Sequence, residues 1–95
     1  MTTNFGITST SGIQRFVGED SIFAKAVWSA IQRFGNQDWG DVPPEDVAQN
    51  REMYKSLETG GYGFVMGSYS DYDHCPTFWI IRDMKSTTVL FPEEY

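Results

Sequence analysis

The last third of the sequence contains three segments with the composition of β-strands. They cover residues 63–69 (GFVMGSY), 77–83 (TFWIIRD) and 87–91 (TTVLF). β-branched and aromatic residues dominate them, as is typical of strands. Because short connections join antiparallel neighbours, this arrangement predicts an antiparallel sheet. Large apolar side chains fall on both faces of segment 77–83, which predicts a central strand.

Two helices are predicted ahead of these strands. An apolar stripe with a period of about 3.6 residues indicates an amphipathic helix. Asp20 and Ser21 are its N-cap candidates, and Gly35 is a natural residue to follow its end. The second helix opens at Pro44, where the missing N–H removes no helical hydrogen bond, and it stops before Gly60.

The first twenty residues carry weaker signals. Residues 5–10 alternate weakly and predict a short first strand, and residues 12–17 predict a helical turn that Gly18 ends. With its helices first and most of its strands last, the chain is predicted to be a single α+β domain over residues 1–95. The expected architecture is a three- to four-stranded antiparallel sheet with two main helices packed on one face.

Composition narrows the classes of partner. Thirteen acidic and seven basic residues give a net charge of −6. This argues against direct nucleic-acid binding, since binding a phosphate backbone requires clustered Lys and Arg. Seven Phe, five Tyr and three Trp crowd the core of a 95-residue chain. Some rings are therefore expected at the surface, where Tyr and Trp favour interfaces.

Compartment and assembly are also constrained. Cys75 is the single cysteine, so no internal disulfide is expected, as is usual in a reducing compartment. The N-terminal residues lack the pattern of a signal peptide. No apolar run approaches the ~18 residues of a membrane span. We expect a cytoplasmic protein without a membrane partner, monomeric or homodimeric.

Residues 38–46 contain four carboxylates in nine residues: Asp38, Asp41, Glu45 and Asp46. Oxygen-rich loops bind hard cations, and a metal-dependent hydrolase using these four is the alternative function. The spacing does not match an EF-hand. Helix entry is the favoured interpretation, because negative charge stabilises a helix N-terminus, with Trp39 anchoring the loop. No metal or cofactor is expected.

His74 and Cys75 resemble a nucleophile and its base. Adjacent residues of an extended chain point in opposite directions, so they cannot form a hydrogen-bonded dyad. His74 is the single histidine, which excludes a His-based zinc cluster. Both are expected to be surface-loop residues, and no catalytic residue is predicted.

Acidic and aromatic residues alternate in the connection at 70–76 and at the C-terminal end. Acidic and aromatic side chains together can bind a basic protein surface. The competing interpretation is that the rings pack on the sheet and the acids are only solvated. The candidate partner-binding residues are Asp38, Trp39, Asp41, Tyr69, Asp71, Tyr72, Asp73 and Tyr95.

Several motifs together resemble a family of small prokaryotic proteins found on plasmids, phages and other mobile elements. The motifs are DWGD at 38–41, PED at 44–46 with Asn50, GSY at 67–69, FWIIRD at 78–83 and STTVLFPEEY at 86–95. The resemblance implies a mobile-element origin and no particular activity. The chain departs from the pattern at Pro43, where the family carries Ser or Thr, and in a longer 70–76 connection. We expect residues 70–76 to determine a binding specificity that is particular to this chain.

Together these observations predict a small acidic protein-binding module of mobile-element type. Its partner is expected to be a host or element-encoded protein, and one that handles nucleic acid is the favoured type. The most specific form is an inhibitor of host defence, anti-CRISPR-like or anti-restriction-like. A third class, nucleic-acid binding through sheet aromatics such as Phe64, Phe78 and Trp79, conflicts with the charge.

Overall fold

The computed structural model describes residues 7–95 and confirms the α+β class. Three helices precede most of a four-stranded sheet. In chain order the elements are β1 (Ile7–Ser9), α1 (Ser11–Glu19), α2 (Ser21–Gly35), α3 (Pro44–Glu58), β2 (Val65–Tyr69), β3 (Phe78–Arg82), β4 (Thr87–Leu90) and a 3-10 turn (Pro92–Glu94).

The predicted long helix is confirmed as α2. The Asp20 carboxylate caps it by accepting hydrogen bonds from the N–H groups of Ile22 at 2.9 Å and Phe23 at 3.1 Å. These bonds satisfy two of the amides that a helix N-terminus leaves without partners. The helix includes Gly35, which the sequence predicts to follow its end, and Asn36 is the C-cap.

The second predicted helix is confirmed as α3. Pro43 precedes it and makes no side-chain capping bond, while Pro44 occupies the first turn. Glu45 and Asp46 lie in that turn, where negative charge stabilises the helix dipole. After the last helical residue the chain turns through Gly60, whose φ of 86° suits glycine.

Two details of the predicted architecture are corrected. The sheet is mixed, because β1 pairs in parallel with β4 while the β2–β3 and β3–β4 pairs are antiparallel. The strand order is β1-β4-β3-β2, so β3 is central as expected. The segment predicted as a turn forms the nine-residue helix α1, capped by Thr10, giving three helices. Residues 5 and 6 of the predicted first strand lie outside the described residues.

The core lies between the helices and one face of the sheet. Phe78, Ile80 and Val89 lie on that face and are each at most 1 % exposed. The ring of Phe23, from α2, packs edge-on against Phe78 with centroids 5.5 Å apart and stacks on Phe91 at 5.7 Å. Burying such rings is the main favourable contribution to stability.

The outer edge of β2 is covered by the 38–41 loop. The Asp41 N–H donates to the Ser68 carbonyl at 2.9 Å, and the Ser68 N–H donates to the Trp39 carbonyl at 3.0 Å. Gly40 lies between them with a φ of 76°, and a Cβ there would collide with the Ser68 carbonyl. This pairing holds the loop at the end of β2, beside the 70–76 connection.

A buried asparagine joins α3 to the same strand. Asn50 is 6 % exposed, and its amide donates to the Met66 carbonyl at 2.8 Å and accepts from the Met66 N–H at 3.3 Å. The backbone N–H and C=O of Met66, which face away from β3 at the edge of the sheet, thereby both have hydrogen-bond partners.

Within residues 7–95, no helix has both the length and the apolar character needed to cross a membrane.

Candidate partner-binding surface

Arg33, in the last turn of α2, joins three segments of the chain. Its Nε donates to Asp38 Oδ2 at 2.8 Å, and its Nη1 donates to Asp71 Oδ1 at 3.2 Å. The arginine side chain is 25 % exposed, whereas the two aspartate side chains are 50 % and 60 % exposed. The guanidinium therefore lies inside the cluster, and the carboxylates form its outer rim.

Two tyrosine rings lie beneath this arginine. The guanidinium carbon is 5.1 Å from the Tyr69 ring centroid and 5.5 Å from that of Tyr72. The Tyr72 hydroxyl accepts from Arg33 Nη1 at 3.1 Å and lies 2.8 Å from Ser29 Oγ, while the Tyr69 hydroxyl donates to the Asp38 carbonyl at 2.9 Å. We call Arg33, Asp38, Tyr69, Asp71 and Tyr72 the Arg33 cluster.

The ion pair between Arg33 and Asp38 keeps both side chains charged at neutral pH. The hydrogen bond from Arg33, followed by one from the Gly40 N–H, holds the pKa of Asp38 below its ordinary value. The same pair with Asp38 raises the pKa of Arg33 further above its already high value. Burial raises the pKa of the Tyr69 hydroxyl, which stays neutral. One cation and two carboxylates leave the cluster with one net negative charge.

Two of the predicted contact residues lie in the interior. Trp39 is 3 % exposed and Tyr69 is 1 % exposed, so neither side chain reaches a partner in this fold. Trp39 packs near Tyr54, with centroids 6.5 Å apart, as the predicted anchor of its loop. Its indole Nε1 is buried without a hydrogen-bond partner among the described residues. Both residues pack beneath the exposed carboxylates and help to hold them in place.

The four carboxylates of 38–46 do not converge. Asp38 pairs with Arg33, Asp41 bonds the Ser70 hydroxyl, and Glu45 and Asp46 lie at the start of α3. Among residues 7–95, no three His, Cys, Asp or Glu side chains are grouped so that they could hold a metal ion. The ligand set required by the hydrolase alternative is therefore not assembled in the described part of the chain.

Tyr95 lies apart from the Arg33 cluster. Its ring is 76 % exposed and packs edge-on against Trp79, with centroids 5.8 Å apart. Trp79 neighbours Phe78 on β3, so its side chain is on the opposite face of the sheet from the helices. Tyr95 therefore packs on the face of the sheet opposite to Phe78, on which the Tyr72 ring stacks.

The structure adds two exposed residues that are not among the predicted contact residues, and one of them, Ile22, belongs to the apolar stripe that predicts α2. Trp28 is 63 % exposed and Ile22 is 57 % exposed, both on α2. The exposure of Trp28 could have been predicted from its spacing. It is three residues after Lys25 and four before Gln32, and so lies on the polar side of the helix. Arg33 gives no comparable signal, because its partners come from distant segments.

A groove separates α2 from the 70–76 connection, with a cavity volume of about 300 Å³. Ile22, Lys25, Ala26, Tyr72, Asp73 and Cys75 line it. Burial, and then the charges of Asp20 and Asp73, raise the pKa of the Cys75 thiol above its ordinary value. Asp73 therefore lies at a groove, next to the Arg33 cluster. His74 is exposed and adopts a φ of 63°.

Comparison of the chain with protein-family models, with curated proteins and with solved structures finds no significant match.

Proposed function

We propose that this chain is a small acidic protein-binding module. Its contact surface is the outer side of α2 together with the 70–76 connection, which we call the α2–loop surface. The surface consists of Ile22, Lys25, Trp28, Asp71, Tyr72 and Asp73.

The observation that carries the proposal is Trp28. A tryptophan ring that is 63 % exposed in the middle of a fifteen-residue helix does nothing for the core of this fold. Burial of such a ring against a partner gains about 2–3 kcal/mol, and tryptophan is enriched among the residues that dominate binding energy. Ile22, on the same helix and also exposed, lies three residues before Lys25, as Trp28 lies three residues after it, so the two apolar side chains flank Lys25 on the outer side of the helix.

Charge selects the kind of partner. Asp71 is 60 % exposed and Asp73 is exposed, and the whole chain carries a net charge of −6. Complementary charge steers association and disfavours acidic partners. A protein that handles nucleic acid has the required basic surface, which supports an inhibitor of host defence, anti-CRISPR-like or anti-restriction-like, as the specific form of the proposal.

The test is capture from a prokaryotic lysate, with the purified chain immobilised at low and at moderate salt. Wild type should retain a partner that Trp28→Ala and the double variant Asp71→Lys with Asp73→Lys lose. Tyr62→Ala is the matched aromatic control, since Tyr62 is 80 % exposed outside this surface. Glu52→Lys, an exposed position on α3, is the charge control. Equal retention by all variants, or no specific partner, would contradict the proposal.

Inhibition has its own readout. The chain is expressed in cells that carry an active restriction or CRISPR system, and the efficiency of transformation by a targeted plasmid is measured. Restored efficiency with wild type but not with Trp28→Ala supports the inhibitor form. If wild type and Trp28→Ala restore efficiency equally, the effect does not pass through the α2–loop surface.

A further inference from the structure

We infer that the groove between α2 and the 70–76 connection receives one large apolar side chain of the partner, carried on a segment with Lys or Arg on both sides. The inference rests on the proposed protein-binding function and names the chemistry that the surface recognises.

Most of the lining of the groove is apolar. Ala26 is 5 % exposed and forms part of the base, while Ile22, Tyr72 and Cys75 contribute a side chain, a ring and a thiol. A cavity of about 300 Å³ that opens to solvent next to an exposed isoleucine accommodates an aromatic or branched aliphatic side chain. Interface anchors of this kind fill pockets lined by apolar groups.

The groove is held open before any partner arrives. The Tyr72 hydroxyl is fixed on both sides, by Ser29 Oγ at 2.8 Å and by Arg33 Nη1 at 3.1 Å. Its ring also stacks on Phe78, with centroids 6.1 Å apart. A wall that is already immobilised loses little conformational entropy on binding, which favours affinity.

The charges around the groove favour cationic neighbours for the anchor. Asp20 and Asp73 both act on the Cys75 thiol, so their negative field reaches the lining of the groove. Asp71 lies two residues before Asp73 and exposes 60 % of its side chain. Lys25 is the one basic residue among those lining the groove. Three carboxylates against Lys25 and Arg33, which pairs with Asp71, leave one net negative charge for a basic segment.

Cys75 provides a direct readout, because it is the single cysteine of the chain and lines the groove. The probe is the capped peptide Lys-Arg-Phe-Arg-Lys, at millimolar concentration and low salt. The rate of Cys75 alkylation by N-ethylmaleimide is followed by mass spectrometry. We expect alkylation to slow by about tenfold at saturation, since the thiolate reacts only where the reagent reaches it.

Two control peptides separate the anchor from the charge. Lys-Arg-Gly-Arg-Lys lacks the anchor, and Glu-Glu-Phe-Glu-Glu reverses the charge. Both should leave the alkylation rate near that of the free protein. Protection of Cys75 by either control peptide would overturn the inference. So would an unchanged or faster alkylation rate with the basic anchored peptide. A faster rate would mean that the cations lie near Cys75 and favour its thiolate without filling the groove.

A variant places the effect in the groove. Ile22→Asp, at an exposed position, should abolish protection by the anchored peptide, whereas Glu52→Gln should retain it. The captured partner should also protect Cys75. If Trp28-dependent capture persists while Cys75 stays reactive in that complex, the groove inference fails and the binding module stands. If no capture occurs, the proposed function fails on its own test.

Discussion

The Arg33 guanidinium lies over the Tyr69 ring, 5.1 Å from its centroid, and so joins the last turn of α2 to the end of β2. Tyr69 in turn donates its hydroxyl to the Asp38 carbonyl at 2.9 Å, while Asp38 receives Arg33 Nε at 2.8 Å. Three segments are thereby closed into one ring of contacts beneath the α2–loop surface.

Arg33→Met should therefore destabilise the fold by about 1–2 kcal/mol, through loss of the charge-assisted hydrogen bonds and the contact with two aromatic rings. Urea unfolding followed by tryptophan fluorescence measures this. Arg51→Met, at an exposed position on α3, should change stability by no more than about 0.5 kcal/mol. Equal changes in the free energy of unfolding for the two variants would show that the Arg33 contacts make no net contribution to stability.

Acid should weaken the same cluster. The pKa of Asp38 is depressed in the folded state, so the unfolded state binds more protons in the window between the two pKa values. This contribution is present above about pH 4 and is lost as pH falls through the folded pKa. It is expected to stay below about 1 kcal/mol because the side chain is half exposed.

The measurement compares urea midpoints at about pH 6 and about pH 3 for wild type and Asp38→Asn. Wild type should lose more stability than the variant over that interval. The pKa of Asp83 is also depressed, by the N–H groups of Lys85 and Ser86, so Asp38→Asn should retain part of the acid sensitivity. Identical pH profiles would contradict the assignment to Asp38.

Two glycines with positive φ should respond differently to a methyl group. Gly40→Ala should cost about 3 kcal/mol or more, because its Cβ would collide with the Ser68 carbonyl in addition to straining the backbone. Gly60 has a similar φ of 86° but open space around it, so Gly60→Ala should cost only about 1 kcal/mol. Thermal unfolding of the two variants distinguishes them, and equal losses would show that backbone strain alone decides.

Asn50 should be essential to the contact between α3 and β2. Asn50→Ala leaves both polar groups of Met66 without their side-chain partner, at a cost of about 2–3 kcal/mol. Asn50→Asp retains an acceptor for the Met66 N–H but offers no donor to the carbonyl, and it should not restore stability. Hydrogen exchange at the Met66 amide, faster in both variants, is the local check.

Two tryptophans should separate binding from folding. Trp28→Ala should change the free energy of unfolding by no more than about 0.5 kcal/mol, since its ring is mostly in water. Trp39→Ala should cost about 3–5 kcal/mol, because a buried ring leaves a cavity. A large loss of stability in Trp28→Ala would remove the reason for assigning that ring to a partner.

The sequence predicted the elements whose signals are local. The apolar stripe of α2 and its Asp20 cap both act within one helix, and the structure confirms them, while the helix runs one residue further than predicted and includes Gly35. The same holds for β3, whose large apolar side chains on both faces predict the central position that it takes between β4 and β2. Expected strands ran one or two residues longer than observed, because composition does not show where hydrogen-bonded pairing stops.

The parallel pairing of β1 could not be predicted in this way. Short connections determine the orientation of consecutive strands, but β1 and β4 are separated by all three helices and two strands. For the candidate site, the sequence identified Asp38, Asp71 and Tyr72, which the structure brings together at Arg33. It could not identify Arg33, since nothing local distinguishes a bridging arginine from a solvated one.

The β1–β4 pair also bears on how the chain acquires its structure. The hydroxyls of Thr8 and Thr88, 80 positions apart, lie 3.2 Å from each other in adjacent strands. Closing so long a loop is entropically costly, and contacts of this kind slow folding. During synthesis, β1 has no strand to pair with until β4 has left the ribosomal exit tunnel. The sheet is therefore completed only after translation has passed its last strand.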